Sequence, residues 1–75
     1  MKVTIVTGSD QVSRAIADKT SARQKDYHFD TPEEAAAFLR GIDEGVGWME
    51  AALILTPEVE KVIQGMTIAE LTLIQ

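Results

Sequence analysis

YHFDTPEEAAAFLRGIDEGV, residues 27–46, is the stretch whose reading decides the fold. Tyr27 and Phe29 sit on alternate positions around His28, which suits one face of a pleated strand. Asp30 and Thr31 break that alternation. Thr31 is a good N-cap, because its hydroxyl can accept a hydrogen bond from an orphan amide of the first helical turn. Pro32 fits the first helical position, where no amide hydrogen is needed, and Glu34 completes a capping box. Glu33 and Glu34 also lie at the positive end of the helix dipole, so the cap should stabilise the helix start by roughly 1–2 kcal/mol. Ala35, Phe38, Leu39, Ile42 and Val46 then fall on one helical face. The stripe predicts a helix through Gly41 to about Glu44, at a local cost of about 1 kcal/mol, with Gly45 or Gly47 as the left-handed stop. Asp43 and Glu44 are badly placed near a helix C-terminus, which keeps open a helix ending at Gly41.

Upstream, KVTIVT at residues 2–7 reads as a buried strand. Ser9 is positioned to cap a helix in which Val12, Ala15 and Ile16 share a face. A rival reading makes residues 8–11 a hairpin turn and 12–17 a second strand. The helix is preferred because Ala15, Ala17, Asp18 and Lys19 are poor strand residues. Residues 20–25 are polar and read as loop.

Downstream, WMEAALILT at residues 48–56 reads as a strand buried on both faces over 51–55. Thr56-Pro57-Glu58 repeats the grammar of Thr31-Pro32-Glu33 and opens a short helix, Pro57 to about Gln64, with Val59, Val62, Ile63 and Met66 inward. This repeat fits an internal duplication and ordinary β–α grammar equally. In residues 66–75, Ala69, Leu71 and Leu73 alternate as a strand does, whereas Thr67 and Glu70 form a capping box for a last helix. The strand is the preferred reading. It would lie at a sheet edge, where unpaired backbone invites another chain.

These elements predict an α/β (or α+β) fold with parallel or mixed pairing: two layers, a three- to four-stranded sheet covered by two or three short helices. Seventy-five residues give one domain, whose stability is marginal or shared with another copy. There is no cysteine, hence no disulfide and no thiolate site. No apolar run is long enough to span a bilayer and no leader pattern is evident, so the expectation is a soluble cytoplasmic protein.

The net charge of −5 is uneven. Residues 1–29 carry five basic and three acidic side chains, giving +2, and residues 30–75 carry two and nine, giving −7. That balance argues against binding phosphate backbones and favours a basic partner. One special case is an acidic decoy for a nucleic-acid-binding protein.

Chemistry-bearing residues are few. His28 is the sole histidine, and Asp26 and Asp30 alternate with it onto one strand face, the one set from which a metal site could be built. The Asp43/Glu44 and Glu58/Glu60 pairs fall on helix surfaces, where burial cannot tune them for acid–base work. Trp48 and Met49, flanked by Glu44 and Glu50, are the candidate partner-contact residues.

Val6-Thr7-Gly8 followed by Arg14-Ala15-Ile16-Ala17 resembles the opening of the short-chain dehydrogenase family, which implies a dinucleotide site. The intervening Ser9–Ser13 lacks the glycines that allow close approach to pyrophosphate, and Asp10 would repel it. No cofactor is therefore expected. The spaced residues Tyr27, Phe29, Asp30, Thr31, Glu34, Ala37, Phe38, Leu39, Gly41, Gly47 and Trp48 resemble a pattern in small uncharacterised bacterial and phage-borne proteins. The resemblance implies a bacterial or phage source and no activity. The leading functional expectation is a non-enzymatic interaction module or small regulator or inhibitor, self-associating or bound to another protein. The alternatives are a small metal-dependent enzyme using His28, Asp26 and Asp30, and an accessory subunit of a larger assembly.

Overall fold

β1 (Lys2–Thr7) is a central strand of the computed structural model, which describes residues 1–45 and 49–75. Its β-branched run is buried from Val3 to Val6. β2 (Lys25–His28), β3 (Ala51–Ile54) and β4 (Thr72–Ile74) complete an open mixed sheet in the order β2-β1-β3-β4. β2 and β3 both run antiparallel to β1, with Tyr27 opposite Val3 and Leu53 opposite Ile5. β4 is parallel to β3, with Leu73 opposite Leu53. Three helices accompany the sheet: α1 (Ser9–Ala17), α2 (Pro32–Gly45) and α3 (Pro57–Ile63).

Strand alternation divides the core in two. On one face Val3, Ile5, Ala51 and Leu53 meet Ala35 and Leu39 of α2, Val59 of α3, and Leu71. On the opposite face Val6, Ala52, Ile54 and Ile74 meet Val12 and Ala15 of α1. Sheet and α2/α3 pair form the two main layers, and α1 patches one part of the far side. Leu39 and Leu53 are completely buried, each contributing roughly 1.5–3 kcal/mol of apolar burial.

The two threonine–proline turns behave as their sequences dictate. The Glu34 amide donates to the Thr31 hydroxyl at 3.2 Å, and that hydroxyl donates to Glu34 Oε1 at 3.1 Å. The Val59 amide donates to the Thr56 hydroxyl at 3.3 Å. α2 runs through Gly41 to Gly45, so the shorter alternative fails. Phe38 is half-buried between Tyr27 and Phe29, with ring centroids 4.7 and 5.1 Å away.

Several expectations need correction. α1 is a helix and not a second strand, yet its N-cap position is held by Gly8, with no side-chain cap bond, and Ser9 is its first helical residue. Ile16 is 65% exposed: α1 reaches the sheet through Val12 and Ala15, and Ile16 lies off that contact. Residues 20–25 are not all loop. A 3-10 turn spans Lys19–Ser21, capped by Asp18, which accepts from the Thr20 hydroxyl at 2.8 Å and the Thr20 amide at 3.1 Å. β3 is shorter than residues 48–56: Thr56 is given over to capping α3, and Met49 and Glu50 lie ahead of the strand, although the Glu50 carbonyl still accepts from the Gly8 amide at 2.8 Å.

The last segment is a strand and not a helix, but its inward side differs from the alternation expected. Leu71 and Ile74 are buried and Leu73 is 42% exposed. The cause is that Leu71 precedes β4, and Ile74, opposite Ile54, points to the α1 side. Val46, Gly47 and Trp48 lie outside the described residues, and with them the end of the α2 stripe and the tryptophan expectation.

Candidate functional site

Asp43 departs furthest from its sequence reading. Instead of lying on a helix surface it is 8% exposed, and its carboxylate reaches the segment ahead of β4. The Ala69 amide donates to Oδ2 at 3.0 Å, and the Glu70 and Leu71 amides donate to Oδ1 at 2.8 and 2.7 Å. Those bonds, from Ala69 and then Leu71 and Glu70, hold the carboxyl below its ordinary value of 3.8 against the opposing pull of burial. The Glu70 amide is thereby committed to Asp43 and not to the Thr67 hydroxyl that a capping box would use. The Asp43 carboxylate thus tethers the last turn of α2 to the backbone of residues 69–71.

Of the candidate partner-contact residues, Glu44 lies in the last turn of α2 and Met49 and Glu50 just ahead of β3. All three are exposed, Met49 by 55%. The Glu50 backbone carbonyl is engaged by the Gly8 amide. Trp48 lies outside the described residues.

The His28, Asp26 and Asp30 set is not gathered into one site. Asp26 and His28 share a face of β2, opposite Thr4 and Lys2. Asp26 is already engaged: Thr4 donates its hydroxyl to Oδ1 at 2.7 Å, and the Lys2 ammonium stands 4.0 Å from Oδ2. Asp30 lies beyond the strand, in a groove beside Met1, Pro32, Glu58, Lys61 and Val62. Among the described residues no group of three or more histidines, cysteines and carboxylates is arranged to hold a metal ion.

That groove, about 370 Å³, runs between α2 and α3 and continues into a second hollow of about 430 Å³ beside Arg40, Gly65 and Met66. Both carboxylates and cations line it, and none of those charged residues is buried. It has neither a converging set of polar groups nor one sign of charge, the features by which a small-molecule site selects its ligand.

The sheet margins are a different kind of surface. β2 and β4 are the outer strands, so among the described residues each has one side of its backbone without a strand partner. At the β2 margin, Lys25, Asp26 and His28 are exposed and Tyr27 is half-buried against Phe38. The pairing with β1 extends past the strand: Met1 and Phe29 exchange two backbone bonds, each 2.9 Å. An edge of that kind recognises another extended chain through backbone bonds, with alternate side chains giving selectivity. Among the described residues no helix is long and apolar enough to cross a membrane. Compared with family models, curated proteins and solved structures, the chain matches none.

Proposed function

We propose that this protein is a non-enzymatic interaction module, a small regulator or inhibitor that works by pairing with another protein chain or a second copy of itself. The observation that supports it is the open four-stranded sheet, whose two outer strands offer backbone donors and acceptors to a partner strand. The acidic charge of residues 30–75 favours a basic partner and disfavours nucleic acid. The exposed Glu44, Met49 and Glu50 supply additional contact to a partner that reaches the end of α2.

Amide hydrogen exchange along β2 and β4 tests this reading, measured at rising protein concentration and with an extract of the native source added. The expected result is slowed exchange confined to one margin in at least one condition. Unchanged exchange at both margins in every condition would remove the proposal's support.

A further inference from the structure

We infer that the partner at the β2 margin is a second copy of this chain, joined by antiparallel pairing of the two β2 strands about a twofold axis at Tyr27. The inference rests on the interaction-module reading and names its partner. In an antiparallel ladder, residue pairs that exchange both backbone bonds alternate with pairs that exchange none. Met1 and Phe29 are a bonded pair. Counting back along the register, Tyr27 with Val3 and Lys25 with Ile5 are bonded pairs too. Asp26 opposite Thr4 and His28 opposite Lys2 are the intervening pairs, so the N–H and C=O groups of Asp26 and His28 point away from β1. These are the groups a new strand must meet.

Twofold symmetry leaves three registers to consider within residues 25–28. Asp26 opposite Asp26 of the partner subunit sets like charges together and makes one mutually bonded pair. His28 opposite His28 of the partner subunit likewise makes one. Asp26 opposite His28 of the partner subunit makes two such pairs, four backbone bonds in all, because symmetry repeats the match. This register also places each half-exposed carboxylate beside an imidazole, which can donate to it. On the other face Tyr27 meets Tyr27 of the partner subunit as the closer, non-bonded kind of pair, flanked by Phe38. Backbone parity, charge complementarity and aromatic contact thus select one register. The β4 margin has no counterpart, since Thr72, Leu73 and Ile74 carry no charge to choose among registers.

Sedimentation velocity over a concentration series tests the pairing, with a melting curve for each variant to show that it is folded. The native chain is expected to shift from monomer to dimer as concentration rises. His28→Pro removes an outward N–H without touching a bond to β1, and should weaken association at least about tenfold. His28→Asp brings two carboxylates together in each pair and should weaken it too, while Lys2 opposite position 28 keeps the monomer folded. His28→Gln keeps a donor for Asp26 and should associate as the native chain does, and Leu73→Lys at the far margin should have no effect. A native chain that stays monomeric throughout, folded H28P and H28D variants that dimerise normally, or association abolished by L73K would each overturn the inference. A monomeric chain whose margin is nonetheless protected by a component of the extract would sink the second copy and leave the interaction-module reading standing.

Discussion

The two margins of the sheet are fixed by unlike means. At the β4 side a buried carboxylate, Asp43, accepts three backbone amides and holds the chain before it enters the strand. At the β2 side the carboxylate is Asp26, half-exposed and shared between a hydroxyl and a lysine, and the main anchorage is aromatic, through Tyr27, Phe29 and Phe38. One margin is locked by charge against backbone and the other is seated by ring packing. The difference teaches that a three-residue strand such as β4 cannot rely on its own ladder, whereas β2 borrows contact area from the helix that follows it.

Removing the lock should produce the largest effect. Asp43→Ala strips one buried and two partly buried amide bonds of their acceptor, and is expected to cost about 3 kcal/mol in urea unfolding. Exchange should accelerate most at the amides of residues 69–71. The same lock makes the β4 side acid-sensitive. Because the folded carboxyl titrates below its ordinary 3.8, its stabilisation is present above that value and is lost as pH falls through the folded one. Unfolding free energy measured from pH 6 downward should fall below about pH 4, and D43A should lack that share of the decline.

Loosening the ring-packed margin comes next. Phe38→Ala is expected to cost about 2 kcal/mol, less than a fully buried phenylalanine because Phe38 is half-buried. Its signature is faster exchange on β2 with β4 little changed. The caps give the smallest effects. Thr56→Ala should cost about 1 kcal/mol and Thr31→Ala about half as much, since the Thr56 bond is partly buried and the Thr31 bonds are exposed. Equal costs, read from melting curves at one pH, would show that exposure does not separate the two turns.

The parts legible from sequence are those whose cause is local. Thr31, Pro32 and Glu34 announce α2 within four residues, and Thr56-Pro57 announces α3 the same way. The α/β class follows from strands alternating with such helices. Less legible was everything decided by distant partners. Leu73 satisfies the alternation of an inward residue and stands opposite the buried Leu53, yet on the outer strand it stays 42% exposed while Ile74 is buried on the α1 side. The partners of Asp43 lie 26 to 28 residues away and are backbone amides, which leave no trace in side-chain identity. One signal did exist: an aspartate in the last turn of a helix opposes the dipole, so its presence there asked for a compensating donor. His28, Asp26 and Asp30 share strand parity, and parity alone does not foresee that Asp30 lies past the strand's end.

Gly8, finally, is the only residue of positive φ among those described, at φ 95° and ψ 140°, and it turns β1 into α1 within a single step. A β-carbon built there would meet nothing within 4 Å, so space does not forbid a side chain; the backbone angles do. An L-alanine at this point is strained, and so is its mirror image: an extended D residue pairs positive φ with negative ψ, whereas ψ here is 140°. Chains carrying either alanine, the D form introduced by chemical synthesis, should both melt below the natural chain, because only glycine holds these angles without strain.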